Sequence, residues 1–400
     1  MSLLSLVCFV IAGLLLLKGN RALRRNRLVL HPKTKMPKVA ILVPARDESG
    51  VIEGLLKSLA KQSVPLKAED VYVIVESADD PTVQICRKHG NSVIFRQSLK
   101  HQRKGYALDE AVKQILAQGK HYDLYFIFDA DNIVDKNYLQ EMLQTYYQGY
   151  EIATGYRNAK NGNDNVIAAV SSLTFSMINA IGNRRRAAHG ANIIFSGTGL
   201  YVVGDLIDEW KGWPFHSLTE DYEMSLYATL HGISTYYNEL AVFYDEQPTG
   251  YRQTVKQRVR WIKGYFSARK KYVPLMRARK RGHNIGSIIK ERIGVWPAIW
   301  AILGVIALIL GVVTEFFALG HPEMIWWMLL AVLVMVYVVL ALITIELIKR
   351  EKLDLNHQMK LKAVFFHPLY LVTYIPCALQ ALLKRQVKWV RIEHKVNNRN

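Results

Sequence analysis

Four stretches without a single acidic or basic side chain constrain this chain more than anything else in it. Residues 1–17, 293–314, 324–345 and 363–383 contain no Asp, Glu, Lys or Arg. At about 1.5 Å of rise per helical residue, each of the later three can cross a hydrocarbon core about 30 Å thick. The first is short for a span, but Lys18, Arg21, Arg24, Arg25 and Arg27 follow it in place of a small-residue cleavage site. It therefore reads as a retained transmembrane anchor over residues 1–20 rather than a removed signal peptide. The expected order is then a soluble domain over 36–250, a basic amphipathic interfacial segment over 251–292, membrane segments over 293–384 and a basic tail over 385–400. His367, Pro368 and Pro376 are awkward in a straight lipid-facing helix. A re-entrant or interfacial last segment is expected, which keeps the tail on the side of the soluble domain.

The formal net charge is +19, and its placement decides what it means. Residues 18–38 hold 8 Lys and Arg, 252–292 hold 14 and 384–400 hold 6, opposed only by Glu291 and Glu393, so the remainder is net acidic. The excess lies beside the apolar runs, where the positive-inside bias and anionic head groups account for it. No nucleic-acid partner is expected. The expected location is a lipid bilayer, the plasma membrane, with the soluble domain facing the cytoplasm. Cys8, Cys86 and Cys377 form no CxxC pair and read as reduced structural thiols, and no histidine spacing suggests zinc.

Within the soluble domain, short apolar runs alternate with helical patterns, which is the signature of an α/β layer with a mostly parallel sheet. Strands are expected at 38–44, 71–75, 92–95 and 122–128, with helices at 49–62, 81–89 and 134–147. The fourth strand ends in Asp129-Ala130-Asp131, and in such sheets ligands sit beyond the carboxyl ends of the strands. Two carboxylates one residue apart offer hard oxygens suited to Mg²⁺ or Mn²⁺, with substrate phosphates completing the shell. Taken alone, the triplet reads more readily as an acidic turn or as the cap of the helix that follows. Context changes that reading. Thr219-Glu220-Asp221 and Gln257-Arg258-Val259-Arg260-Trp261 lie downstream. The three sites together point to sugar transfer from a nucleotide donor.

From Val39 to Trp261 the chain resembles the membrane-bound branch of glycosyltransferase family 2, the synthases of cellulose, hyaluronan, chitin and poly-N-acetylglucosamine. Five segments carry the resemblance in order: Val43-Pro44-Ala45-Arg46-Asp47-Glu48, Arg103-Lys104-Gly105-Tyr106-Ala107-Leu108-Asp109, Ser196-Gly197-Thr198-Gly199, Thr219-Glu220-Asp221 and Gln257 to Trp261. The resemblance implies a GT-A fold, a UDP-sugar donor and a divalent cation, Mg²⁺ or Mn²⁺, at Asp131 and Asp129. It further implies that Pro44, Arg46, Glu48 and Glu76 face the nucleotide from the first strands, and that Lys104 and Asp129 face it from the middle of the domain. Gln257, Arg258 and Arg260 complete the donor site. Gly197, Thr198, Gly199, Trp213 and Trp261 are implied for the acceptor. Where relatives have an Asp-Asp-Gly-Ser-x-Asp segment this chain has Val75-Glu76-Ser77-Ala78-Asp79-Asp80. Glu76 is then the replacement carboxylate, with Asp79 and Asp80 open to a donor role or a helix-cap role.

Each remaining residue type suits its task. Asp221 is the expected general base: inverting transfer needs a carboxylate that takes the acceptor proton as the oxygen attacks the anomeric carbon. Glu220 reads as a first-turn acid and Thr219 as the N-cap of its helix. Arginine forks suit diphosphate oxygens. On a helix Gln257, Arg260 and Trp261 share a face that Arg258 does not, so Arg260 is the preferred diphosphate contact. Trp261 offers a ring face to a sugar or an anchor to lipid. Arg269, Lys270, Lys271, Arg277, Arg279 and Lys280 are expected to be juxtamembrane charge with no part in chemistry. The expected product is a β-linked polysaccharide; a glycolipid made by single transfer, as in ceramide glucosyltransferases, is the alternative, and an inactive membrane scaffold is a third.

Overall fold

The computed structural model describes residues 36–280, 324–351 and 353–384, with scattered positions in 5–11 and 303–314 and residue 387. The expected anchor, the run 293–314, the segment 281–292 and the basic tail lie largely outside the described residues.

The core of the soluble domain is an eight-stranded sheet. Its strands are β1 Val39–Pro44, β2 Val71–Val75, β3 Ser92–Phe95, β4 Leu124–Ile127, β5 Ile133–Val134, β6 Ile152–Ala159, β7 Leu200–Val203 and β8 Thr235–Asp245. They are arranged in the order β3-β2-β1-β4-β7-β6-β8-β5. One half, β3-β2-β1-β4, is parallel, as the apolar runs require: β2 and β4 are buried along their whole length and β1 up to its final Pro44. The other half is mixed, because β7 runs antiparallel to β4 and β6 while β8 returns parallel to β6. The expected helix at 134–147 is shorter at its start. Ile133 and Val134 pair with Tyr244 and Phe243 as a sheet edge, and the helix opens at Tyr138.

Among the described residues, three helices are long and apolar enough to cross a membrane: Val166–Ala188, Leu329–Arg350 and His357–Leu383. The first has both ends tied to the soluble domain. Asn165 donates to the Thr249 carbonyl at 2.9 Å, and Arg184 donates to Glu239 at 2.7 Å. A helix anchored to one globule at both ends does not span, and its apolarity is spent on packing instead. Ala169 and Leu173 bury against Leu347, Leu353, Leu355, Met359 and Ala363 of the other two helices and their connection. Leu329–Arg350 turns Leu333, Val334 and Leu342 outward, the surface a lipid-facing helix presents. In the last segment the helix His357–Val372 contains Pro368 and breaks at Thr373 before Tyr374–Leu383, which carries Pro376 near its start. The prolines thus coincide with an interruption rather than a straight rod.

The soluble domain is fastened to the end of Leu329–Arg350 by a buried ion pair. Arg184 donates to Glu351 at 2.5 and 3.1 Å, and the Glu351 side chain is 1% exposed. Asn163 adds bonds to the Asp354 carbonyl and the Asn356 amide. Glu351→Ala strips the best-buried partner from Arg184 and is expected to cost about 3–5 kcal/mol. Glu346→Ala, which breaks an exposed i,i+4 pair with Arg350, is expected to cost less than about 0.5 kcal/mol. Thermal unfolding of the two variants side by side measures the difference, and equal midpoints would contradict the fastening role.

Candidate active site

The site lies where β1 and β4 end. The chain leaves β4 through Asp129, whose amide is held by Thr198 Oγ1 at 2.9 Å and Asn132 Oδ1 at 3.2 Å. Asn132 in turn donates to Asp131 at 3.2 Å and to Asp245 at 3.1 Å. Thr198 and Asn132 also share a short hydrogen bond. The triplet is therefore braced from behind, with Asp131 nearly buried and Asp129 partly exposed.

Lys104 opens the helix Lys104–Ala117 and reaches across the end of the sheet. Its ammonium pairs with Asp129 and donates to the Gly197 carbonyl at 2.7 Å. Gly197 sits at φ 82°, in the left-handed region that favours glycine, and a Cβ there would lie 3.2 Å from Asp221 Oδ2. Only a residue without a side chain lets this loop back so closely onto Asp221.

Asp221 lies in the first turn of the helix Glu220–His231 beside Glu220. Burial raises the pKa of Asp221 from its ordinary value, opposed by the Tyr222 amide and by the charges of Arg260, Lys104 and Arg157. Burial, and then the negative charge of Asp221, also raises that of Glu220. Burial works against the charge on Lys104, but Asp129, Glu220 and Asp221 outweigh it and hold its pKa up. These mutual influences show that the triplet, Lys104, the Thr219-Glu220-Asp221 segment and Arg260 share one electrostatic environment.

Arg260 arrives on the helix Tyr251–Lys280, which packs across the start of Glu220–His231, and donates to the Leu218 carbonyl at 3.4 Å. Gly264 permits that approach: a Cβ there would collide with the Thr219 side chain. Thr219 occupies the N-cap position, but its hydroxyl makes no cap bond and is buried without a partner among the described residues. Farther along, Lys271 Nζ pairs at 2.8 Å with the buried Glu223 of the neighbouring helix, and Tyr272 adds a longer bond. Lys271 is thus a helix-to-helix tie rather than free juxtamembrane charge.

The carboxyl ends of β1 and β2 show a similar division between braced and presented groups. Arg46 pairs with Glu76 at 3.0 Å, and Glu76 also meets Arg96 at 3.3 Å, so both sit at the carboxyl ends of β1 and β2. Pro44 closes β1 beside Ile74, and the Glu48 amide is bound by Thr82 Oγ1 at 3.1 Å. Asp80 takes the cap role: its carboxylate accepts from the Thr82 amide at 2.9 Å and from the Asp47 amide at 2.8 Å. That second bond steadies Asp47 at φ 53°, a conformation costly for most side chains.

Two expected site residues are placed elsewhere. Arg258 is 1% exposed and faces the last apolar segment, where it donates to Thr373 Oγ1 at 2.6 Å. Its guanidinium lies 4.3 Å from the Tyr370 ring and 4.8 Å from the Tyr374 ring. It is caged against that helix, in keeping with its place on the opposite helical face from Arg260. Trp213 is 2% exposed, packed edge-on to Trp210 and Phe215 in the core. It presents no face to an acceptor, because a flat apolar ring next to other aromatics is best buried with them. Trp261 does line a narrow cleft, which Arg258 also lines, with Gln257, Phe175, Gln247, Tyr370 and Tyr374, and its ring meets Phe175 edge-on at 5.7 Å.

No set of three or more His, Cys, Asp or Glu side chains forms a metal cage among the described residues. Two carboxylates at a strand end, one partly exposed, fit instead a hard cation that keeps most of its shell for substrate oxygens. Asn132, Gly264 and the Arg157–Asp245 pair behind the triplet escaped sequence reasoning. A lone arginine within an otherwise apolar strand was the one available signal for Arg157.

Gly264→Ala is expected to force the two helices apart, lowering stability by about 1–3 kcal/mol as overpacking does. Adding Thr219→Ala should recover part of the loss. Thermal unfolding of the single and double variants tests the contact, and simple additivity would count against it.

Residues 37–264 match the family model described as "Glycosyltransferase like family 2". The chain is 24% identical over 246 residues to a probable glycosyltransferase, YdaM, of Bacillus subtilis, covering 58% of this chain and 56% of that protein. It is 24% identical over 230 residues to the poly-beta-1,6-N-acetyl-D-glucosamine synthase of Staphylococcus aureus, covering 56% and 54%. The chain thus spans about half the length of these curated relatives. The structure superposes with a TM-score of 0.59 on a mannosyltransferase from Pyrobaculum calidifontis solved with GDP-Man and Mn²⁺, covering 96% of this chain and 98% of that one at 16% identity. That likeness shows a shared GT-A fold. With the family model matched across the sheet, the Thr219-Glu220-Asp221 helix and the start of the Tyr251–Lys280 helix, the chain belongs to the glycosyltransferase like family 2.

Proposed function

We propose that this chain is an inverting, divalent-metal-dependent hexosyltransferase that moves a sugar from a UDP-sugar to an acceptor at the membrane surface, elongating a β-linked polysaccharide. The observation that carries the reading is the convergence of Asp129, Lys104, the Gly197 carbonyl, Asp221 and Arg260 on one cavity end of the sheet. Donor chemistry needs positive charge near a leaving diphosphate, and acceptor chemistry needs a carboxylate near an incoming hydroxyl. Both are present, and Gly197 sits between them. The synthase of Staphylococcus aureus supports the polymer, the apolar helices Leu329–Arg350 and His357–Leu383 support a membrane setting, and the Lys and Arg excess beside the apolar runs supports a cytoplasmic catalytic domain.

In this reading Asp131 and Asp129 would hold Mg²⁺ or Mn²⁺, which when bound neutralises diphosphate charge. Arg46 and Glu76 flank the nucleotide. Arg260 donates to the departing diphosphate, while Lys104 holds Asp129 in place and offsets part of the negative charge of Asp129, Glu220 and Asp221. Asp221 accepts the acceptor hydroxyl's proton late, as the attacking oxygen becomes acidic. Burial suits it to this, because a raised pKa makes it the stronger base. Trp261 and the cleft beside it receive the acceptor. A lipid acceptor is the second reading, favoured by the Arg258 cage, which fills the route between the Tyr251–Lys280 helix and Tyr370 and Tyr374.

Incubation of the purified protein with Mn²⁺ and a panel of radiolabelled UDP- and GDP-sugars, followed by separation of polymer from lipid products, tests donor and acceptor together. High-mass polymer supports the main reading and a single-sugar glycolipid the second; no transfer from any donor would overturn both. Asp221→Asn is expected to lower transfer by at least about 10³-fold with UDP binding nearly unchanged. Asp131→Ala is expected to weaken UDP binding in Mn²⁺ and not in EDTA. The pH dependence has a definite sign. The base must be ionised and burial raises its pKa, so the rate should fall on acidification, with its midpoint displaced upward from that of an exposed aspartate.

A further inference from the structure

Arg157 stands in β6 behind the site and reaches Asp245, the Ser196 carbonyl and Phe175. Its Nε donates to Asp245 Oδ2 at 3.0 Å, with Nη2 on the same oxygen, and its Nη1 donates to the Ser196 carbonyl at 3.0 Å. Its guanidinium lies 3.8 Å from the Phe175 ring, which meets Trp261 edge-on. Asp245, so held, accepts from Asn132 and from Gln247, and Asn132 is the residue that donates to Asp131 and accepts from Thr198. The pair is well buried, with side chains 13% and 5% exposed. The Arg157 carbonyl is itself fixed by Asn179 at 2.7 Å.

We infer that Arg157 is a positioning residue for the transfer: through Ser196 it sets the Gly197 loop against Asp221, and through Asp245 and Asn132 it sets Asp131. The inference rests on the proposed function for its kinetic consequences, but not for its structural ones. Lysine cannot reproduce the fork, because a single ammonium reaches neither the carbonyl nor the carboxylate with paired parallel donors. The residue touches no substrate, so donor binding should survive while the rate falls. The charges facing Asp221 are those of Arg260, Lys104, Arg157 and Glu220. Loss of Arg157's charge alone should therefore move the acidic limb of the rate to higher pH, and lysine should leave it nearly in place.

The experiment uses the full chain in detergent, as wild type, Arg157→Lys and Arg157→Met. Hydrogen exchange over residues 196–199, compared with β1 and β4, needs no turnover. Faster exchange confined to 196–199 in both variants is expected, and unchanged exchange there would overturn the inference whether or not the wild type transfers sugar. With the donor that the wild type accepts, kcat should fall at least tenfold in Arg157→Lys while donor KM changes less than threefold. The acidic limb should shift upward only in Arg157→Met. Parallel losses in kcat and KM with unmoved pH limbs would reduce Arg157 to general support of the fold. A wild type inert toward every donor would count against the proposed function and leave the exchange result to decide the positioning role.

Discussion

A single ammonium organises this site. Lys104 lies among the carboxylates of Asp129, Glu220 and Asp221 with the Gly197 carbonyl as a further acceptor. Without that cation, three acids would be gathered at the end of a buried sheet, and their mutual repulsion together with the loss of hydration would neutralise or separate them. With it, the negative charge is partly offset: Lys104 pairs with Asp129, and its charge opposes the rise that burial imposes on the pKa of Asp221. Lys104 heads a helix whose next residue, Gly105, has room for no side chain against the Phe215 carbonyl. The approach of that helix to the loop preceding Glu220–His231 therefore decides where the ammonium sits.

The helix Tyr251–Lys280 is the second organising element, and it works by having two occupied faces. One carries Arg260, Gly264 and Lys271 to the Glu220–His231 helix. The other buries Val259 against Cys377 and Ala381 and cages Arg258 among tyrosines of the last apolar segment. The composition of the segment suggests a helix lying in the interface, and its contacts join the catalytic domain to the apolar helices. Arg184 and Glu351 supply an independent fastening on another side of the domain. Two attachments of different chemistry fix the orientation of the domain better than either alone, since each restrains rotations the other permits.

Much of this was readable in advance. The continuous apolar runs of β1, β2 and β4 could only be strands buried on both faces, and the catalytic segments carry side chains whose chemistry is scarce elsewhere in the chain. Less readable were features decided by distant partners. Ile133 and Val134 look like the start of a helix until Phe243 and Tyr244 pair with them. Trp213 looks like a sugar platform until Trp210 and Phe215 enclose it. Val166–Ala188 has the apolarity of a span, and only the bonds at its two ends show that it packs against the domain.

The sequence by itself determined the chemistry: which acids, which arginine and which apolar lengths the chain possesses, because composition and local period are properties of neighbours along the backbone. Tertiary structure alone decided which of them meet. Arg258 and Arg260 are two residues apart and identical in kind, yet one is locked between tyrosines and the other faces Asp221. On a helix of 3.6 residues per turn, that separation turns side chains to different sides, and what waits on each side is settled by distant parts of the chain, 112 residues away for Arg258 and 42 for Arg260.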